Sequence, residues 1–313
     1  MRHLILALLP CAANAETLTV MTYDSFVSEW GPGPAIEAAF EAECGCDLRF
    51  IAPGDGAALL ARLKLEGART EADVVLGLDT NLMAEAKRTG LFAPHGQTPA
   101  LDLPVAWADD TFLPFDWGWF AFVHRTDLTP PTSFEELAAS DLRVVIQDPR
   151  SSTPGLGLVM WVKAAYGERA AGIWDGLSDN ILTVTPGWSE AYGLFTEGEA
   201  DMVLSYSTSP AYHLIAERDA TKAAAIFTEG HYLQVEVAAK LANASPLADR
   251  FMEFMLTPAF QAAIPETNWM YPAAGPDPFG DLPKPGKTLT FTPDEAASLR
   301  ANAIAEWQAA LSR

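Results

Sequence analysis

The sequence predicts an α/β protein built in two lobes, and three observations carry that prediction. The 313 residues exceed what one hydrophobic core comfortably holds. Short apolar runs alternate with segments of helical period, the pattern of parallel strands flanked by helices. The composition then changes at Thr111–His124, TFLPFDWGWFAFVH, an aromatic extended run between two such α/β sets.

The elements follow in order. Leu18–Thr22 is a short strand ending at Tyr23-Asp24-Ser25, and Pro34–Ala42 a helix opened by its proline. Cys46–Ile51 alternates as a strand, PGDG (53–56) turns, and Ala57–Glu66 is a helix stopped by Gly67. Ala72–Leu78 is a buried strand ending at Asp79, and Thr80–Thr89 a helix closed by Gly90. Thr111–His124 runs from one lobe into the other. Arg143–Gln147 then reads as a strand, Gly155–Tyr166 as a helix, Ser189–Thr196 as a helix capped by Ser189, and Met202–Ser205 as a buried strand. Gly230–Lys240 is a second long strand able to cross back; helices Pro246–Leu256 and Pro258–Ile264 follow, and Thr292 caps a last helix to Leu311. The first lobe takes residues 16–115 and about 228–270, the second about 116–227 and 271–313.

Residues 1–15, MRHLILALLPCAANA, read as a signal peptide: Arg2, the apolar run Leu4–Leu9, then Ala13-Asn14-Ala15 before a cut after Ala15. The run is too short to span a bilayer. The expectation is an exported, soluble, monomeric protein without a lipid anchor. Net charge is −21, and loss of Arg2 makes it −22. Such a surface disfavours nucleic acid and anionic lipid and favours cations. Outside the leader stand Cys44 and Cys46 alone. A local disulfide and two free thiols both fit this spacing, and a metal would lack further ligands.

Ligands of open α/β sheets sit beyond the carboxyl ends of the strands. That rule collects Tyr23, Asp24, Ser25, Trp30, Asp55 and Asp79 from the first lobe. From the second it collects Ser151, Ser152, Thr153, Trp188, Tyr206, Ser207, Thr208 and Tyr212, with Arg150 the only base nearby. The stretch Gly187–His213 puts Trp188, Tyr206 and Tyr212 on short connections, with no nucleophile–base pair and no metal-ligand spacing. Large flat side chains on loops suit a flat, cationic small molecule. Ser152 or Thr153 caps a helix whose free N–H groups make a local anion or hydroxyl site. Trp161 and Trp174, at helical spacing, belong to the core; Trp117, Trp119, Phe120 and Phe122 line the lobe junction. Trp269 in NWMYP is left open.

TYDSF, Trp30-Gly-Pro-Gly-Pro, ADVVLGLD, QDPRSSTPGLG, GWSEAYGLF, LSYSTSPAYH, EGHYLQVEVAA and NWMYP, in this order over nearly the whole mature chain, resemble the periplasmic thiamine-binding proteins of bacterial ABC importers. The resemblance implies a type II periplasmic binding protein: two lobes, each a mixed sheet flanked by helices, closing by a hinge and delivering ligand to a membrane permease and its ATPase. It implies thiamine, its monophosphate and its diphosphate as ligands, with no cofactor and no catalysis. It also implies Asp55 beside Gly56 as a polar contact, Ser152 and Thr153 near the hydroxyethyl or phosphate end, and Trp188 with Tyr206, Ser207, Thr208, Ser209 and Pro210 for the rest. Tyr23, Trp30 and Tyr212 would be further walls. Met21, Trp117 and Trp119 depart from the family pattern at packing positions.

Other solutes fit less well. Ferric iron calls for an adjacent tyrosine pair, and Tyr206 and Tyr212 are separated. A polyamine remains an alternative through Asp24, Asp55 and Asp79. A secreted hydrolase lacks support: neither G-x-S-x-G nor H-E-x-x-H occurs, and His124, His213 and His231 are scattered.

Overall fold

A computed structural model describes residues 15–280 and 282–312. Residues 1–14 of the expected signal peptide (1–15) lie outside the described residues.

The first α/β set holds β1 (Thr17–Met21), α1 (Asp24–Val27), α2 (Gly33–Cys44), β2 (Asp47–Ile51), α3 (Gly56–Glu66), β3 (Val74–Asp79) and α4 (Met83–Arg88). The long β4 (Leu113–Arg125) leads into α5 (Phe134–Ala138), β5 (Val144–Gln147), α6 (Thr153–Tyr166), α7 (Ala170–Leu177), β6 (Ile181–Thr185) and α8 (Trp188–Thr196). Then come β7 (Met202–Tyr206), α9 (Pro210–Tyr212), β8 (Lys222–Ala224), β9 (His231–Lys240), α10 (Leu247–Phe254), α11 (Pro258–Gln261), β10 (Tyr271–Pro272), β11 (Thr288–Leu289) and α12 (Pro293–Leu311).

The main path of the sheet runs β2-β1-β3-β9-β4-β7-β5-β6. Its two ends are parallel, β2-β1-β3 and β7-β5-β6. Its middle is antiparallel, because β9 and β4 run against each other and against their outer neighbours. β4 pairs with β9 up to Trp119 and with β7 from Phe120 onward. One strand thus serves both halves, which is why TFLPFDWGWFAFVH is mostly apolar: it is buried on both faces along most of its length.

The cores behave as the residues suggest. Trp161 and Trp174 are 0% and 1% exposed. Trp117 stacks on Tyr271 at 4.4 Å and meets Trp119 edge-on. α12 starts in a capping box, with Thr292 accepting from Glu295 N and Glu295 reaching back, and it packs on α6 and α7. Cys44 and Cys46 are joined in a disulfide, which closes the alternative left open by their spacing. The helix after β3 is shorter than its sequence suggests. Asp79 accepts from Asn81 N and Nδ2 and its carbonyl from Leu82 N, so 80–82 form a turn before α4.

Candidate functional site

Three helices begin at one point. α3, α6 and α8 each leave first-turn N–H groups without intrahelical partners, and all three converge on Asp55. Its Oδ2 accepts from Ser152 Oγ at 2.8 Å and from Trp188 N at 3.3 Å. Gly56 N donates to Thr153 Oγ1 at 3.1 Å, and Ala58 N to Ser151 O at 3.3 Å. Gly56 permits this approach, since a Cβ there would lie 2.6 Å from Thr153 Oγ1 and 2.8 Å from Gly77 O.

Two capping expectations are corrected here. Ser152 stands at the N-cap of α6 but its hydroxyl caps nothing, because it is spent on Asp55. Ser189 does not cap α8: the helix already starts at Trp188, whose N–H is met by the Asp55 carboxylate from α3. Burial pushes the Asp55 carboxyl up to about 6, while the bonds from Ser152 and Trp188 oppose the rise.

Above Asp55 opens a cleft of about 580 Å³. Trp188 forms its central wall, stacked on Tyr192 at 4.8 Å and 24° and tied by Nε1 to Ser205 Oγ at 2.8 Å. Trp30 faces Trp188 from the first α/β set at 6.1 Å and is 54% exposed. Tyr206 closes one end, its hydroxyl donating to Gln234 Oε1 at 2.9 Å. Tyr212 lines the cleft beside Trp269, the rings 5.6 Å apart, and its hydroxyl donates to Glu217 Oε1. Tyr23, Glu236, Asn268 and Met270 also line the cleft.

Of the residues singled out in the sequence, Tyr23, Ser25, Trp30, Asp55, Thr153, Trp188, Tyr206, Ser209 and Tyr212 line this cleft together. Gly56, Ser152, Ser207, Thr208 and Pro210 are buried behind it rather than on its surface. Ser209 Oγ holds Ser205 Oγ and Tyr206 N, so it braces the Tyr206 turn. Ser207 Oγ is buried without a hydrogen-bond partner.

Tyr192 and Glu236 escaped the sequence reading. Tyr192 lies four residues after Trp188 in α8, a spacing that reads as core. Glu236 sits in β9 and Asp116 in β4, acids inside apolar strands, and that anomaly was the available signal. No metal spacing stands out in the sequence, yet the fold brings ligand atoms of His213, Glu217 and Asp219 within 4.8 Å of one another. Both His213 nitrogens are engaged, by Glu217 Oε2 at 2.6 Å and the Tyr192 hydroxyl at 2.9 Å. The imidazole therefore props the stack, its plane nearly parallel to that of Tyr192 at 16°.

A second depression, of about 710 Å³, follows the connection from His95 to Asp110. Its one indole, Trp107, is held by Phe112 O, and no aromatic wall faces it.

A family model described as bacterial extracellular solute-binding protein matches residues 33–267. The chain belongs to the bacterial extracellular solute-binding proteins. This solute-binding protein is 54% identical to a thiamine-binding periplasmic protein of Salmonella typhimurium, over 98% of each chain. It is 43% identical to one of Haemophilus influenzae, over 96% of this chain and 94% of that one. A solved structure titled periplasmic thiamin binding protein superposes with a TM-score of 0.93 at 52% identity, covering 98% of this chain and all of that one. Iron-bound HitA of Pseudomonas aeruginosa, at 21% identity and a TM-score of 0.76, shares the fold.

Proposed function

We propose that this solute-binding protein captures thiamine in the cleft and delivers it to the permease and ATPase of an ABC importer in the periplasm. One observation carries the reading: seven aromatic rings and four carboxylates line the cleft, with no Lys or Arg among them. A flat organic cation is what such a lining favours, at about 0.5–2 kcal/mol for each good ring contact. The similarity to proteins named for thiamine binding selects that cation among others. Thiamine monophosphate and diphosphate fit the same reading, because Thr153 and Pro154 of the α6 first turn border the cleft. A polyamine would use the carboxylates but leave the flat walls without a partner.

In mechanism, thiamine stacks on the Trp188–Tyr192 wall. Bending at β4 and β9 then brings Tyr23, Trp30 and Asp55 over it from residues 16–115, while residues 116–227 and 271–313 carry the opposite wall. The Asp55 bonds to Ser152 and Trp188 tie α3 to α6 and α8. The mature chain starts after Ala15, works as a monomer, and requires no resident cofactor, metal or catalytic step. Titration with thiamine while tryptophan fluorescence is followed tests this. Saturable quenching with thiamine recovered unchanged is expected; absence of quenching, or a product by chromatography, refutes it.

A further inference from the structure

Below the aromatic walls lies a row of acids. The β4–β9 register sets Asp116 opposite Glu236, and the β3–β9 register sets Asp79 opposite Glu236 on its other side. Residues paired in this way project to one face. All three are buried, with Glu236 5% exposed at the cleft lining.

The hydrogen bonds around this row are one donor short. Tyr23 OH donates to Glu236 Oε2 at 3.0 Å, and Asn268 Nδ2 donates to Asp116 Oδ2 at 2.7 Å and to Tyr23 OH at 3.0 Å. Asp116 Oδ1 is buried with no donor, and the residue the register sets across from Asp116 is Glu236. A proton on one of the two carboxyls supplies the missing bond; two bare carboxylates would repel. The other groups facing Glu236 are Asp79 of β3, Tyr23 after β1 and Tyr206 of β7, and none is a cation. Arg300 of α12 acts on Asp79, which is already held by Asn81 and Leu82. Burial pushes Asp116 up to about 7; burial and the Asp116 charge push Glu236 well above its ordinary value.

We propose that Asp116 and Glu236 share one proton in the ligand-free protein and release it to solvent when an organic cation seats over Glu236, so that capture is linked to proton release. The proposal rests on the cleft being a site for such a cation. A cation favours the ionised pair, so affinity rises with pH and levels off once the free pair is already ionised. The pair also discriminates, since a neutral ligand of the same shape gains nothing from displacing the proton.

Calorimetric titration with thiamine at about pH 7 in phosphate and in Tris, buffers of different ionisation enthalpy, counts the protons. The native protein should release on the order of one per thiamine bound. Asp116→Asn should release clearly less, because it removes the carboxyl that shares the proton and leaves an amide able to donate to Glu236. No buffer dependence in the native protein, or equal release from the variant, overturns the proposal. Should Asp116→Asn misfold, the native protein alone decides: its thiamine affinity should rise by up to about tenfold per pH unit below the pKa of the pair, and a flat profile overturns the linkage. Thiamine that fails to bind overturns the linkage together with the cleft reading. The infrared carbonyl band of a buried carboxylic acid in the ligand-free protein then separates the two: its presence upholds the shared proton, and its absence refutes that as well.

Discussion

Replacing Trp188 by Ala removes the central wall of the cleft while leaving the α8 N–H that Asp55 accepts. The indole stacks on Tyr192 at 4.8 Å and lies 6.1 Å from the Trp30 ring, tilted by 53°, so a bound ring loses the flat partner it would stack on. Loss of a stacking and cation–π contact is worth about 1–2 kcal/mol. The Ser205 hydroxyl also loses the indole Nε1 donor but keeps Ser209 Oγ. Thiamine affinity should therefore fall by about 5- to 30-fold, read by calorimetric titration. Trp188→Phe keeps a flat face and should recover most of the loss. Unchanged affinity in Trp188→Ala, with the native circular dichroism spectrum retained, would refute the stacking cleft.

Asp55→Asn keeps an acceptor for Ser152 Oγ and Trp188 N but removes the charge. Thiamine affinity should drop by about tenfold, as for a charge pair partly screened by water, while small-angle scattering of the ligand-free protein stays unchanged. Gly56→Ala drives a methyl against Thr153 Oγ1 and the Gly77 backbone carbonyl, so α3 and α6 cannot approach; affinity should fall by about tenfold, with a stability loss of about 1–3 kcal/mol in urea unfolding. Asp116 titrates near 7 in the folded chain against about 4 in the unfolded chain. The folded state thus binds that proton more tightly, and the stability this contributes is present at low pH and lost as pH rises from about 4 through about 7. Asp116→Asn should raise the melting temperature by about 2–4 °C at pH 8 and by less at pH 5, as scanning calorimetry would show. Reducing the Cys44–Cys46 disulfide should cost about 1–2 kcal/mol in urea unfolding, because the closed loop is so short, and should leave thiamine affinity alone.

Much of the architecture is legible in the residues because parallel strands buried on both faces read as unbroken apolar runs: VVLGLD at β3 and MVLSY at β7 admit no other reading. Trp30, Trp188 and Tyr212 are legible as walls because large rings beside loops have few other uses. What stayed hidden was decided by tertiary partners. Ser189 has the chemistry of a cap, but Asp55 reaches the α8 N-terminus first. Tyr192 has the spacing of a core residue and half fulfils it, meeting Phe195 in an edge contact while it stacks on Trp188. Glu236 gains its meaning from register: only the pairing of β9 with β3 and β4 shows that it stands between two other acids. The short α5 and β6 carry too little periodicity to be found without their neighbours.

The central claim, that the aromatic and acidic cleft is built for thiamine, meets its most direct test in calorimetric titration of the native protein with thiamine and, in parallel, with spermidine. One thiamine per chain should bind saturably, and spermidine, which has charge but no ring to stack, should bind at least about tenfold more weakly. Spermidine binding as tightly as thiamine, or no heat with thiamine, would contradict it.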